Sequence, residues 1–227
     1  MRFSNHHQSA RKEAPQARER AERHQPIGRK ARSVVRPTAA HRSRSPGRMD
    51  RAGQFSAPET WHDPVEQQQF RCVIETAGDS FRHVVTEQEI RDRLAELPEH
   101  LVSDLQVVQL SRMTRKRAIF PLYGMQWGPN VYLYPLEESL IERYARMPKP
   151  QFRIDSEMYG GKWEEVGGIW QLTWTEQTIK DFYLNNVLIH EIGHLNDHRN
   201  RSYIDRERYA NWFAIEFGYR ASRGRRV

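Results

Sequence analysis

Leu188-Ile189-His190-Glu191-Ile192-Gly193-His194-Leu195 is the stretch on which the reading of this chain turns. Its centre is H-E-x-x-H. Two histidines four residues apart on a helix sit one turn apart on the same face, so both imidazoles can reach one zinc ion. Glu191 follows the first histidine and points near the metal's open position. There it can take a proton from a zinc-activated water as general base. The pattern predicts a hydrolase, with a peptide bond as the first-choice substrate. The preceding residues, Phe182 to Ile189, suit a buried helix. Gly193 inside the motif costs about 1 kcal/mol of helix stability relative to Ala. That cost makes sense if another backbone approaches closely there.

A catalytic zinc needs a third protein ligand and one open position. His198 stands four residues beyond His194, but successive turns of a straight helix advance about 5.4 Å each and cannot wrap one ion. It is expected behind the ligands or at the surface. Asp197 and Asn200 occupy the places where the H-E-x-x-H-x-x-G-x-x-H proteases carry their glycine and third histidine, so that class is excluded. Glu207 is the best candidate. Ser202-x-x-Asp205 opens a second helix with a capping pattern. Tyr203, Glu207, Ala210, Ala214, Phe217 and Ala221 form one stripe at helical spacing along it. Such a stripe faces the core, where a carboxylate is expensive unless something pairs with it. A zinc ion from the preceding helix is a suitable partner; the ordinary alternative is a salt bridge to Arg206, Arg208 or another arginine. Asp205 is the runner-up ligand but fits better as a cap residue. The short connection His198–Arg201 makes the two helices antiparallel neighbours, and the small Ala210 and Ala214 let them approach.

Asn211, one turn beyond Glu207, is the preferred residue to orient a ligand imidazole, with His198, Asn185, Asn186 and Asp197 as others. Tyr203, Tyr209 and Tyr183 are candidate donors to an oxyanion developing in the reaction. The C-terminal helix residues Glu207-Arg208-Tyr209-Ala210-Asn211-Trp212-Phe213-Ala214 match an E-x-x-A-N-x-F-A pattern. Together with His190–His194 they make the chain resemble the ImmA/IrrE-type zinc metallopeptidases, part of the broader gluzincins. The resemblance covers about residues 183–217. It implies a zincin-like fold with one zinc per chain, held by His190, His194 and Glu207, and Glu191 as general base. It further implies intracellular action on protein substrates, transcriptional regulators among them.

The charge of this 227-residue chain is unevenly placed. Residues 1–58 hold 14 Lys and Arg against 4 Asp and Glu, a balance of +10, while the other 169 residues balance to −3. The overall +7 therefore belongs to the N-terminal segment. That segment is rich in Ser, Pro, Arg and Gln, with too few large apolar residues to offset the entropy of ordering. It is expected to be a disordered tail, followed by a metallopeptidase domain over residues 59–227. A featureless solvated extension is one reading of the tail; an electrostatic arm for nucleic acid is the other. Cys72 is the single cysteine, which excludes an intramolecular disulfide and mildly favours a reducing compartment. No apolar run approaches the ~20 residues needed to span a bilayer, and no secretory signal pattern opens the chain. A cytoplasmic protein is the default, with a protein or peptide substrate, possible nucleic acid through the tail and no membrane partner.

Along the body, residues 69–75 and 81–85 read as strands around the turn Ala77-Gly78-Asp79. Thr86-x-x-Glu89 opens a helix that Pro98 stops. Residues 105–110, 118–127 and 130–134 read as strands in a meander around Gly128-Pro129. Residues 136–147 read as a short helix, Gly160-Gly161 as a hairpin turn, and Gly168–Trp174 as a strand at a sheet edge where an extended substrate could pair. The fold class is α+β: a largely antiparallel sheet, helices on one face, and a C-terminal pair of antiparallel helices carrying the metal site.

Overall fold

The computed structural model describes residues 57–63, 69–119 and 122–224. The tail expected over residues 1–58 lies outside them, apart from Ala57 and Pro58. In chain order the elements are β1 (Arg71–Ile74), β2 (Phe81–Arg82), α1 (Glu87–Ala95), β3 (Val107–Leu110), α2 (Arg115–Ile119), β4 (Gly124–Trp127), β5 (Asn130–Leu133) and β6 (Leu136–Glu137). They continue with β7 (Ile141–Tyr144), α3 (Pro150–Met158), β8 (Lys162–Val166) and β9 (Ile169–Thr173). Two long helices close the described chain. In the first, α4 (Glu176–Phe182) runs through a π-helical segment, Tyr183–Val187, into α5 (Leu188–Leu195). In the second, α6 (Tyr203–Phe213) runs through another, Ala214–Arg220, into α7 (Ala221–Arg223).

The chain is α+β, with small sheets and a C-terminal helix pair. The main sheet has the order β1-β3-β5-β4. Strands β3 and β5 are buried at every position, as strands with both faces covered must be. On one face Val108, Leu110, Val131 and Leu133 join the core with Ile90, Leu94, Leu188, Ile192 and Phe213 from the helices. The other face is polar, with Gln109 and Ser111 buried on it. Residues 57–63 cover it. Glu59 pairs with the fully buried Arg117 at 2.9 Å and accepts a hydrogen bond from the Tyr134 hydroxyl at 3.1 Å. His62 stacks on Tyr132. Residues 57–63 therefore pack as part of the folded body.

The capping box at Thr86 forms as expected. The Glu89 N–H donates to Thr86 Oγ1 and the Thr86 N–H donates to Glu89 Oε2. Several strand expectations are corrected. β1 does not pair back on residues 81–85 but lies parallel to β3 across α1. Two of the three ladders in the main sheet are parallel, so it is mixed and not largely antiparallel. Residues 115–119 are helical. Residues 136–147 are not a helix but the strands β6 and β7, separated by a turn in which Leu140 has φ +54°. Glu142 points inward, which the hydrophobic pattern hid; it accepts from the Tyr123 and Tyr144 hydroxyls and the Trp174 indole at 2.7–3.2 Å. Gly160-Gly161 ends α3, and the hairpin turns at Gly167-Gly168, both with positive φ. Among the described residues no helix is long and apolar enough to cross a membrane.

Candidate metal centre

The two long helices meet at Gly193 of α5. A Cβ built on Gly193 would lie 2.9 Å from Ala210 Cα and 2.9 Å from Phe213 Cβ. The glycine thus lets α5 and α6 touch backbone to backbone, as the helix-propensity cost at this position anticipated. Ala210 is one turn from Glu207, and Gly193 is next to His194, so this contact sets the spacing of the three side chains. The connecting loop is closed by Asp197, which accepts from the Arg199 and Asn200 backbone N–H groups and from the Asn200 amide. Burial would raise the Asp197 pKa, but these donors and the Arg206 charge hold it below the usual carboxylate range. The Ser202 hydroxyl accepts from the Asp205 N–H and starts α6.

His190, His194 and Glu207 come together. Their donor atoms all lie within 4.8 Å of one another, with His194 Nε2 3.3 Å and His190 Nε2 3.7 Å from the Glu207 carboxylate. Ligands at zinc-type bond lengths of 2.0–2.2 Å stand roughly 3.4 Å apart around a tetrahedral ion. The triad could therefore hold a metal ion with little rearrangement. Arg208 pairs with Asp205 and not with Glu207. Arg206 donates to the His194 carbonyl at 3.3 Å and to Gln126 Oε1 at 3.4 Å. It thus caps the last turn of α5 and ties it to β4.

Ligation needs neutral imidazole and ionised carboxylate, a condition that the shifts at His190 and Glu207 favour and the shift at His194 opposes. Burial, aided by the His194 charge, pushes the His190 pKa down to about 4; a hydrogen bond to Asn211 acts against the shift. For His194 burial acts downward too, but the hydrogen bond to Glu207 and the charges of Glu191 and Glu207 raise it overall. Glu207 answers in kind: burial raises it, and the two histidines together with Arg206 bring it below its ordinary value.

Glu191 is buried beside the triad. Desolvation, with the Glu207 charge adding to it, pushes its pKa up to about 7, against the His194 charge and a hydrogen bond from the Gln126 backbone N–H. The strand making that bond is β4, the end strand of the main sheet, which among the described residues pairs only with β5. It can pass this close because residue 124 is glycine. A Cβ there would lie 2.8 Å from Val187 Cγ1 and 3.0 Å from Glu191 Oε1. The edge beside the metal helix is thus β4. The strand expected to be that edge, β9, lies between β7 and β8 with both sides paired.

Of the flanking residues named from sequence, Asn211 hydrogen-bonds His190. Tyr203 hydrogen-bonds Glu207, and burial with the Glu207 charge raises its hydroxyl to about 12. Of the two places expected for His198, the structure gives the surface: α5 ends at Leu195 and His198 is exposed in the following loop, so it does not support a ligand imidazole. Tyr183 donates to the Tyr134 carbonyl inside the core, and Tyr209 packs on Phe213 under the Arg199 guanidinium. Asn185 hydrogen-bonds Asp181, away from the histidines. Gly124 and Gln126 were not singled out from sequence, and Arg206 was named only as a possible salt-bridge partner of Glu207. Their part depends on strand order, which no local pattern carries, although an isolated glycine ahead of a strand is a signal of close backbone approach. Comparison of the chain with family models, curated proteins and solved structures finds no match.

Proposed function

We propose that this chain is a zinc-dependent metallopeptidase of the gluzincin kind, similar to the ImmA/IrrE-type enzymes, acting on a protein or peptide substrate. The observation that carries the proposal is the convergence of His190, His194 and Glu207 from two helices beside the buried carboxylate of Glu191. The donor set of two imidazoles and one carboxylate leaves room for a fourth ligand and favours zinc by ligand type. A bound zinc would supply Lewis-acid polarisation of the scissile carbonyl and acidify a water.

Glu191 then accepts the proton of the attacking water and passes it to the leaving amine nitrogen. A carboxyl poised near neutrality suits both transfers. Tyr203, whose hydroxyl lies at Glu207 and feels the charge of Glu191, is the first choice among the tyrosines as donor to the developing oxyanion. Asn211 orients His190. An extended substrate pairs along β4, whose outer edge faces the metal helix, and main-chain hydrogen bonds hold it there. The test is Glu191→Gln: zinc content stays at about one per chain and peptide hydrolysis is lost. Hydrolysis by the variant at the parental rate would refute the role of Glu191.

A second reading concerns partners and rests on the +10 balance of residues 1–58. In that reading the tail binds nucleic acid, and the metal domain is either structural or brought to its substrate by the tail. Removing residues 1–58 then abolishes a salt-sensitive binding to nucleic acid.

A further inference from the structure

The Gly193–Ala210 contact fixes the two metal-bearing helices at one point only. A second contact lies further along both helices, between their π-helical segments. A Cβ on Gly218 would fall 1.8 Å from the Asn185 carbonyl oxygen, so the two backbones are pressed together there. The buried Arg93 of α1 spans this crossing. Its Nε donates to Asn185 Oδ1 at 2.6 Å, in the π segment that leads into the histidine helix. Its Nη2 donates to the Phe217 carbonyl, in the π segment that continues the Glu207 helix. A π turn shifts backbone hydrogen bonds out of the α register, and the guanidinium fork bonds to both wide turns at once. The Tyr159 hydroxyl donates to the Asn185 carbonyl at 2.8 Å from the other side. The Arg93 hydrogen bonds to Asn185 and Phe217 thus act on the helices that carry the histidines and Glu207, away from those side chains themselves.

We infer that Arg93 is a positioning residue of the metal centre, clamping the two π-helical segments so that Glu207 meets His190 and His194. The inference rests on the metal-site reading above. Its leverage follows from helix geometry. Counting from Ala210, Glu207 lies about 4.5 Å along the axis and Phe217 about 10 Å the other way. If the clamp opens by about 1 Å, pivoting on Gly193–Ala210, Glu207 moves by about 0.4 Å, twice the ~0.2 Å tolerance of a metal–ligand distance.

The test compares the full chain with Arg93→Met, Arg93→Lys and a control, Val108→Ala, a core truncation in β3. Cobalt and zinc affinities, the visible spectrum of bound cobalt and the urea stability of the metal-free chain are measured for each. Arg93→Met is expected to weaken metal binding 10- to 100-fold, the range typical of residues that support ligands, and to alter the cobalt bands. Arg93→Lys keeps one of the two hydrogen bonds and recovers part of the affinity; it carries the test alone if the methionine variant does not fold. Val108→Ala loses stability with the parental affinity and spectrum. Parental affinity and cobalt bands in the Arg93 variants, or an equal loss in Val108→Ala, overturn the inference. A parent chain that takes up no more cobalt than His190→Ala instead refutes the metal site itself, and the inference falls with it.

Discussion

Gly193→Ala adds one methyl group where the two helices of the candidate metal centre touch. Helix propensity alone favours the change by about 1 kcal/mol. Packing opposes it. The new Cβ would sit 2.9 Å from Ala210 Cα and from Phe213 Cβ, against an ordinary carbon–carbon contact of about 3.5–4.0 Å. The helices must part by about 0.8 Å to restore that contact. Overpacking of this kind costs about 1–3 kcal/mol, so the metal-free variant is expected to be neutral to about 2 kcal/mol less stable. The larger effect falls on the metal. A displacement of several tenths of an ångström at Glu207 exceeds the ~0.2 Å tolerance of a ligand distance, and metal affinity should fall at least 10-fold. Competition against a chromogenic chelator gives the affinity, and urea unfolding of the metal-free chain gives the stability. Ala210→Gly should not rescue the variant, because the collision is with the Ala210 Cα, which glycine retains. A Gly193→Ala chain more stable than the parent, with parental metal affinity, would show that the helices do not touch there.

Glu59→Ala removes the carboxylate partner of the buried Arg117 and should destabilise the chain by about 1–3 kcal/mol, the cost of leaving a buried donor unsatisfied; an unchanged urea midpoint would mean that residues 57–63 do not cover the sheet. Burial pushes the Asp155 pKa up to about 6, so the folded state holds this proton more tightly than the unfolded chain and stability falls as pH rises from about 4 to 6. Asp155→Asn should therefore be more stable than the parent by roughly 1–3 kcal/mol at pH 7 and equal to it below pH 4, as read by urea unfolding across pH; a difference that does not vary with pH would contradict this. If the basic tail binds nucleic acid, the full chain binds with a steep salt dependence that the chain from residue 59 onward lacks, which filter binding at two salt concentrations decides.

The cluster of His190, His194 and Glu207 was legible because its information is local. His190 and His194 are one helical turn apart, and Glu207 is a carboxylate on a stripe of small and apolar residues that the next helix turns inward. Gly193 was legible for the same reason, as a glycine that an apolar helix would otherwise avoid. Strand partners were not legible. β1 lies next to β3 across α1 and not next to β2, and only tertiary packing selects that pairing. Residues 136–147 misled because Glu142 reads as a solvent-facing residue; three donors, from Tyr123, Tyr144 and Trp174, make it an inward one. With those strands hidden, the outer neighbour of β9 was missing. The sheet edge was therefore assigned to β9 and not to β4, where Gly124 and the Gln126 N–H meet Glu191.

The central claim is that His190, His194 and Glu207 are the ligands of one zinc ion. Elemental analysis of natively purified parent, His190→Ala and Glu207→Ala, each confirmed as folded, tests it directly. The account predicts about one zinc per parent chain and a small fraction of that in either variant. A parent free of metal, or variants that keep as much zinc as the parent, would contradict it.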